Sequence, residues 1–374
     1  MSATGRVIGC LAFSALLLSF PAKAQTSAPA ILAQMQRVAD WELAHLDQAD
    51  IPPSADAKLP RGWIRSTFYA GLTALADRTP DPKYADAIFA HGEREHWQLG
   101  PRLFHADDQL IAQTWIWAYG RKHHPEMIAA ARQRFDAIIK AAPSGSLLMS
   151  VPEDCFRWCW SDALFMAPPG WVALSNVTHD PRYLAYADKE YRAATAQLFD
   201  PDQSLFYRDS TFKGRTGPDG RKLFWSRGNG WVYAGLARIL AALPSESPSR
   251  PFYRDLFLRM SRKVARLQKP DGCWPPALLD PRKDSSSETS GTALFTFGLA
   301  WGVKNGLLSD TSYRANAEQG WACLIGAVGS DGKLGWVQSQ SDQPDSVRKW
   351  DSQAFGVGAF LLAGAAFYDL GGHR

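Results

Sequence analysis

The sequence lacks several features that mark common classes of protein. It contains five cysteines in 374 residues, and none of them stands with histidines at a spacing typical of zinc sites. Cys155 and Cys159 lie close together but have no histidine cluster nearby, so we expect no metal. The formal net charge is only +4. Because nucleic-acid-binding proteins carry a strong basic excess, we expect no nucleic-acid partner.

Long apolar runs are rare as well, and the clearest one lies at the N-terminus. A run over residues 7–20 follows Arg6 and precedes the small residues Ala22 and Ala24. This pattern predicts a secretory signal peptide over residues 1–24 and a mature domain over 25–374. We expect no later stretch to span a membrane. The mature protein is therefore predicted to be exported, periplasmic in a host with two membranes, not membrane-bound, and a monomer or weak homo-oligomer.

Strand patterns are nearly absent, and helical periodicity recurs along the whole chain. Breaker clusters such as Gly217-Pro218-Asp219-Gly220 separate the periodic segments. Twelve helices are predicted, near residues 28–46, 62–78, 82–97, 107–122, 125–141, 160–178, 182–198, 225–243, 250–268, 287–305, 310–326 and 350–369.

The predicted helices are of two kinds that alternate along the chain. One kind is amphipathic, as in residues 183–192, where the charges lie on one side. The other kind is apolar on nearly all sides, as in residues 291–301, which is typical of a helix buried all round. Six buried helices surrounded by six amphipathic ones predict an all-α fold, an (α/α)6 barrel in a single domain.

Polar residues interrupt the buried helices mainly at their N-terminal ends. Because the inner helices of such a barrel run parallel, these clusters are predicted to meet at one mouth. Ser, Thr and Asp are also expected as helix N-caps, and Asp351 or Ser287 can be explained in that way alone. The clusters lie at residues 61–65, 107–109, 161–162, 226–229, 287–290 and 351–353.

Aromatic residues are abundant, with 15 Trp, 11 Tyr and 19 Phe. Several tryptophans stand beside the polar clusters, among them Trp225 and Trp231. Helix N-termini together with arginines favour an anion. A mouth of this kind suits an acidic sugar, and the alternative is that the aromatic residues form a large core.

Four blocks of sequence resemble the unsaturated rhamnogalacturonyl hydrolases, glycoside hydrolase family 105. They cover the chain from about residue 60 onward, in the family's order. The family has the same (α/α)6 barrel. The blocks are Asp107-Asp108-Gln109, Trp160-Ser161-Asp162-Ala163-Leu164-Phe165-Met166-Ala167-Pro168-Pro169, Phe224-Trp225-Ser226-Arg227-Gly228-Asn229-Gly230-Trp231-Val232 and Glu288-Thr289-Ser290-Gly291-Thr292-Ala293.

The resemblance implies a specific reaction. Enzymes of this family act on the 4,5-unsaturated uronic acid that a polysaccharide lyase leaves at the non-reducing end. They hydrate the C4=C5 double bond, and the resulting hemiketal opens and expels the rest of the sugar. No metal or organic cofactor is required. The expected substrate is the unsaturated rhamnogalacturonan disaccharide derived from pectin.

The resemblance also implies residue roles. Asp162 takes the acid/base role, although without the resemblance it reads equally as an N-cap. The second carboxylate lies in the Asp-Asp block, where Asp108 matches better than Asp107, and Asp107 becomes a substrate contact. Arg227 is predicted to bind the substrate carboxylate, with a structural salt bridge as its alternative. The remaining predicted contacts are Trp63, Met166, Trp225, Trp231 and Thr289.

The chain departs from some family members at Arg208, which stands where they have a histidine. Arg208 is predicted to bind substrate or to pair with Asp209. This departure leaves the identity of the sugar beyond the cleaved bond open. The alternatives are an unsaturated glucuronyl hydrolase acting on ulvan, arabinogalactan or glycosaminoglycan fragments, an inverting glycosidase on saturated sugars, and a non-catalytic periplasmic sugar-binding protein.

Overall fold

The computed structural model describes residues 27–47, 55–149, 156–280, 282 and 286–371. The predicted signal peptide and Cys155 lie outside these residues. In the described part, helices dominate, and the strands β1 (Phe199–Asp200) and β2 (Leu205–Phe206) form one short antiparallel hairpin. The α-helices are α1 (Ala28–His45), α2 (Trp63–Ala76), α3 (Lys83–Arg94), α4 (Ala112–Lys122), α5 (Glu126–Ala141), α6 (Ala163–Met166), α7 (Pro168–Thr178), α8 (Pro181–Leu198), α9 (Ser226–Ala242), α10 (Arg250–Arg266), α11 (Thr289–Lys304), α12 (Thr311–Gly326) and α13 (Ala354–Gly371).

The twelve predicted helices are all present, but one of them is broken. The stretch predicted as a single helix over 160–178 is divided into α6 and α7 at Ala167. Pro168 and Pro169 follow directly, and a proline has no N–H to donate and disfavours a helical preceding residue. The break leaves α6 as a single turn, with Asp162 immediately before it.

The apolar helices form a closed inner ring. Going round it, α2 packs on α4, α4 on α7, α6 and α7 on α9, α9 on α11, α11 on α13, and α13 again on α2. The amphipathic helices α1, α3, α5, α8, α10 and α12 lie outside. Backbones approach closely where the ring closes, since a Cβ on Gly71 would lie 2.3 Å from the carbonyl oxygen of Gly358. The predicted (α/α)6 barrel is confirmed.

The last inner helix corrects one prediction. By length and composition, α13 is apolar enough to cross a membrane, whereas we expected no stretch after the signal peptide to approach that limit. In the structure 83% of this segment is buried inside the barrel. Its apolar character therefore has a sufficient explanation in the core.

Disulfide bonds add cross-links that the cysteine spacing did not predict. Cys273 and Cys323 are bonded, with their Cα atoms 5.6 Å apart and 50 residues between them in sequence. The bond ties the loop before α11 to the outer helix α12. Cys159, close to the predicted catalytic residue Asp162, is also disulfide-bonded.

Candidate active site

The inner helices bring the polar clusters together at one end of the barrel. Asp107 lies in a 3-10 turn, Ala106–Gln109, that leads into α4, and Asp162 precedes α6. The backbone N–H of Ser161 donates to the carbonyl oxygen of Arg208 at 2.7 Å, which fixes Arg208 beside Asp162. The end of the barrel to which the inner helices point their N-termini is called the mouth below.

Asp162 lies in the mouth with its carboxylate largely buried. It is not a side-chain N-cap, because it accepts no hydrogen bond from the first turn of α6. Instead, the hydroxyl of Ser161 donates to its Oδ2 at 2.8 Å. Burial raises the pKa of Asp162, while Arg208, the Ser161 hydroxyl and Arg227 oppose that rise. Asp162 is therefore a carboxyl with cations close enough to stabilise its ionised form.

Asp107 faces Asp162 and has little to stabilise its charge. The ring of His105 lies 3.7 Å from its Oδ2, and the cation that acts on it is Arg102. The pKa of Asp107 is raised to about 8, first by burial and then by the negative charge of Asp162. Burial lowers the pKa of His105 to about 4, so this ring is neutral at pH 7. Asp107 thus holds a proton at neutral pH, when most aspartates are ionised.

Asp108, the predicted catalytic partner of Asp162, is buried and paired with Arg102. Its side chain is only 1% exposed, and Arg102 binds it with both Nε and Nη2, at 3.0 and 2.9 Å. The backbone N–H of Arg102 donates to Oδ2 as well, at 2.6 Å. A Cβ on Gly100 would lie 2.5 Å from Cγ of Asp108, so the carboxylate fills a closely fitting position. The oxygens of Asp108 therefore hold the loop before the 3-10 turn, and its predicted catalytic role stays a prediction that this geometry does not favour.

Arg208 is the cation that the mouth leaves accessible. Its side chain is 21% exposed, and Nη1 donates to Asp209 at 2.7 Å. Its Nε is buried and has no hydrogen-bond partner in the described structure. Among nearby charges, Arg208 is the one that most lowers the pKa of Asp162. Both predicted contacts of this residue are therefore possible together: it pairs with Asp209 and retains donors for a ligand.

Arg227, the predicted ligand of the substrate carboxylate, is buried and bonded to the backbone of a loop. The residue is fully buried, between the rings of Trp225 and Phe355 at 4.5 and 4.7 Å. Its Nη1 donates to the carbonyl oxygen of Gln338 at 2.6 Å and its Nη2 to that of Ser339 at 2.9 Å. These bonds hold the backbone of the loop between α12 and α13 against α9. The guanidinium has no exposed surface here, so this geometry does not favour the predicted contact with a substrate carboxylate, which stays a prediction.

The tryptophans named as sugar-stacking walls belong mostly to the core. Trp231 is fully buried and makes edge contacts with the rings of Trp63 and Phe355. Trp225 is 2% exposed, and its Nε1 donates to Gln338. The core alternative therefore applies to Trp225 and Trp231. Trp63 keeps a small exposed edge and donates to Asp56 from Nε1, so it remains a candidate contact.

Two further predicted contacts are also buried. Met166 is 1% exposed, and Thr289 is fully buried with its hydroxyl donating to the carbonyl oxygen of Gly335 at 2.8 Å. Neither can touch a substrate without rearrangement. Their roles are to fill the core and to anchor the loop that covers the N-terminus of α11.

Sequence reasoning missed the function of Glu288. Its carboxylate accepts hydrogen bonds from the backbone N–H groups of Ser290 and Gly291, which caps α11, and from that of Gln338. The position directly before the Thr-Ser-Gly start of a helix was an available signal for a capping carboxylate. Glu288 and Arg227 together fix the same loop, from the α11 side and the α9 side of the barrel.

The described residues contain no group of three or more His, Cys, Asp and Glu side chains that could hold a metal ion. The groups described at the mouth include the carboxyls of Asp107 and Asp162 and the partly exposed guanidinium of Arg208. One carboxyl is protonated at neutral pH and the other is supported by cations. This arrangement permits proton transfer to and from a bound anionic ligand.

Comparison with known proteins identifies the family. The model of Glycosyl Hydrolase Family 88 matches residues 34–370, nearly the whole described chain. The chain belongs to this family. Solved structures similar to this chain include a family 88 hydrolase, and a possible member of family 105 from Salmonella enterica shares the fold at 16% identity.

Relatives of this family 88 chain are hydrolases of unsaturated uronic acids. It is 40% identical to the unsaturated 3S-rhamnoglycuronyl hydrolase of Alteromonas sp. (strain LOR), over 88% of this chain and 83% of the relative. It is 34% identical to the protein of the same name from Formosa agariphila, over 96% and 95% of the two chains. A solved family 88 hydrolase from Bacteroides vulgatus superposes with a TM-score of 0.81 at 27% identity, over 92% and 99% of the chains.

These findings confirm the predicted class of activity. The family 88 protein is a glycoside hydrolase that acts on oligosaccharides carrying an unsaturated uronic acid. The alternatives of a non-catalytic binding protein and of a glycosidase for saturated sugars have no support among these relatives.

Proposed function

We propose that this enzyme hydrates the C4=C5 double bond of a terminal unsaturated uronate, using Asp162 as acid and then base, with Asp107 as the carboxyl that shares its proton. The observation that carries the proposal is the contrast between the two carboxyls. Both are buried in the mouth and both have raised pKa values, yet only Asp162 has Arg208 and Ser161 to stabilise its charge. A pair whose environments push the two pKa values apart is typical of acid and base partners.

In the free enzyme Asp107, with a pKa of about 8, holds a proton at neutral pH. Burial raises the pKa of Asp162 as well, but Arg208, the Ser161 hydroxyl and Arg227 stabilise its charged form. When the substrate carboxylate binds Arg208, it neutralises the cation that most lowers the pKa of Asp162. The proton affinity of Asp162 then rises, so that the proton moves to it and Asp107 becomes the charged partner. Substrate binding thereby prepares Asp162 as a general acid.

The reaction then follows from this proton position. Asp162 donates its proton to C4, and the π electrons of the double bond form the new C4–H bond. Water adds at C5, and its proton returns to the carboxylate of Asp162. The hemiketal opens by breaking the bond between C5 and the ring oxygen, which leaves a ketone at C5 and a hemiacetal at C1. The hemiacetal then expels the aglycone as an alcohol and leaves an aldehyde at C1. Asp162 ends the cycle protonated, as it was once the substrate had bound.

Arg208 is the proposed ligand of the substrate carboxylate. A guanidinium binds a carboxylate through its N–H donors. The Nη2 of Arg208 has no hydrogen bond among the described contacts, and the side chain is 21% exposed, so Nη2 is the donor open to a ligand. Trp63 and the partly exposed ring of His105, which packs 5.0 Å from Trp160, border the same space. They are the candidates for contact with the sugar ring.

We propose a rhamnose as the sugar that follows the uronate. The two relatives described above share a name that specifies a 3S-rhamnoglycuronyl substrate, and their identity extends over most of this chain. An unsaturated uronyl 3S-rhamnose is therefore our first candidate. The unsaturated rhamnogalacturonan disaccharide from pectin is the second, and the glucuronyl glycosaminoglycan fragments follow.

The test uses the ultraviolet absorbance of the conjugated double bond, which hydration removes. Purified mature enzyme is mixed in turn with each of the three classes of oligosaccharide. We expect loss of absorbance with a rhamnose-containing substrate, and no loss with Asp162→Asn. Asp255→Asn is the matched control, since Asp255 is exposed on α10 and has no partner in the described structure. Release of the aglycone without loss of absorbance would contradict the hydration mechanism.

We also propose that the enzyme is exported and acts as a monomer. The N-terminal pattern of residues 1–24 and the disulfide between Cys273 and Cys323 support export, because disulfides persist in oxidising compartments. Mass spectrometry of protein from the periplasmic fraction is expected to find Gln25 at the N-terminus. Light scattering during gel filtration measures the oligomeric state. A protein that retains residues 1–24 and stays in the cytoplasm would contradict export.

A further inference from the structure

The barrel has a second cavity at the end opposite the mouth. It has a volume of about 530 Å³ and lies among the C-terminal ends of the inner helices α2, α9, α11 and α13. We call it the far-end pit. On α9, Arg227 borders the mouth and Arg238 borders the pit. Eleven helical residues separate them, which corresponds to about 16 Å along the axis. The pit is therefore separate from the site described above.

The walls of the pit are mostly apolar, and its charged residues include more basic than acidic side chains. Phe297, Trp301 and Leu362 contribute apolar surface, together with several alanines. A space of this size with a few polar groups on apolar walls is typical of small-molecule sites, which range over roughly 300–1,000 Å³. The charged residues on the walls are Asp77, Arg78, Arg238, Lys304 and Asp369.

Both acids of the pit are neutralised by arginines. Arg78 donates to both carboxylate oxygens of Asp369, and to the carbonyl oxygen of Ala74. Asp77 accepts from Arg121, which lies outside the pit, and from the ring of Trp117. Neither acid therefore forms an ion pair with Arg238 or Lys304, although the charge of Asp77 acts on Arg238 from a distance.

Arg238 is a buried cation with free donors. Its Nε donates to Oε1 of Gln113 at 2.9 Å, and Gln113 in turn donates to the carbonyl oxygens of Phe165 and Met166. Within the described residues its two terminal nitrogens have no acceptor. Burial lowers the pKa of Arg238 to about 10, so it remains charged at neutral pH. The charge of Asp77 partly offsets this effect of burial. An anion at the two terminal nitrogens would add a directly hydrogen-bonded counter-charge.

Lys304, the last residue of α11, is the second free cation on the walls. It is half-buried and has no hydrogen-bond or ion-pair partner in the described part of the chain. Cations near helix C-termini are expected simply because they interact with the last carbonyl groups. Arg78 does so, whereas the described contacts of Arg238 and Lys304 include no such bond. Their positions are therefore not explained by helix capping.

We propose that the far-end pit binds an organic anion of monosaccharide size, with its carboxylate or sulfate group between Arg238 and Lys304 and its carbon skeleton against Trp301. The proposal is independent of the chemistry at the mouth. It requires a ligand with one negative group and one apolar face, a combination that a charged sugar supplies.

The experiment is a calorimetric titration with sodium glucuronate as the probe. Arg208→Ala serves as the parent protein, because the parent has lost the cation proposed to hold a carboxylate at the mouth. We expect the parent to bind glucuronate and not glucose. Adding Lys304→Gln is expected to weaken binding about tenfold or more, the loss typical of one charged hydrogen bond. Lys304→Arg, which keeps the charge, is expected to retain binding.

Arg238→Gln as a second variant and sodium sulfate as a second probe test whether the pit binds the organic anion specifically. Arg238→Gln is expected to abolish glucuronate binding, with thermal unfolding measured alongside because this variant also loses the bond to Gln113. Lys304 has no described partner, so its variant reports on binding even if Arg238→Gln is unstable. Isotherms that are unchanged by Lys304→Gln would overturn the proposal. Binding of sodium sulfate alone, without glucuronate, would also overturn it and leave an adventitious ion only.

Discussion

Replacing Asp107 and Asp108 one at a time tests which of the two neighbouring carboxylates serves catalysis and which serves stability. Asp107→Asn removes the group that stores the proton of the pair, and it breaks no ion pair shorter than 3.7 Å. We expect kcat to fall by about 10²–10⁴, the usual contribution of a positioned acid or base. Asp108→Asn removes a carboxylate bound by Arg102, and we expect its main effect on stability.

The raised pKa of Asp107 determines the direction in which the stability of the folded protein changes with pH. The pKa of Asp107 rises from 3.8 to about 8 on folding, so between these values the native state binds the proton and the unfolded state does not. The free energy of unfolding therefore falls as pH rises through this window. Integrated fully, the shift corresponds to at most about 6 kcal/mol, at 1.36 kcal/mol per pKa unit. Because asparagine does not ionise, Asp107→Asn is expected to lack this fall in the free energy of unfolding with rising pH.

Thermal unfolding at pH 5 and pH 8 measures both effects. At pH 8 we expect the Tm of Asp107→Asn to exceed that of the wild type by about 3 °C or more, with a smaller difference at pH 5. Asp108→Asn is expected to lower the Tm by about 2–4 °C at both pH values, because it loses charged hydrogen bonds worth about 1–3 kcal/mol.

The activity profile completes the test. For the wild type, kcat/KM is expected to fall as pH rises through about 8, where Asp107 loses its proton. The reasoning would be refuted if Asp107→Asn kept wild-type turnover while Asp108→Asn lost it without a change in Tm. That result would return the catalytic role to Asp108 and make the ion pair with Arg102 incidental.

Three further predictions concern the guanidinium in the mouth, the closure of the ring and the cross-link. Arg208→Ala is expected to lower kcat/KM by about 100-fold, mainly by raising KM, because it removes the proposed ligand of the substrate carboxylate. Steady-state kinetics separate the effect on KM from the effect on kcat. Gly71→Ala is expected to lower the free energy of unfolding, measured in urea, by about 1–3 kcal/mol, because its Cβ would lie 2.3 Å from a carbonyl oxygen of the opposing helix. Gly120→Ala is the control: a Cβ there meets open space, so this variant is expected to be neutral or stabilising. Serine at both Cys273 and Cys323 is expected to reduce the free energy of unfolding by up to about 4 kcal/mol, the entropy of closing a loop of 50 residues.

The sequence by itself determined the architecture. Helical periodicity depends on residues three and four positions apart, so local spacing is enough to locate each helix. The alternation of amphipathic and apolar helices then determines which ones are inside. The polar residues at the inner N-termini placed Asp162 and the Asp107–Asp108 pair at one mouth without any knowledge of loops.

Only the tertiary structure decided the roles within that mouth. Asp107 and Asp108 are adjacent in sequence, and what separates them is that the loop before the turn folds back and brings Arg102 to Asp108. Similarly, the loop between α12 and α13 occupies Arg227 and leaves Arg208 open. A carboxylate or guanidinium takes its function from the partner that reaches it and from the water it loses. Both depend on which distant segments meet, and local periodicity carries no information about that.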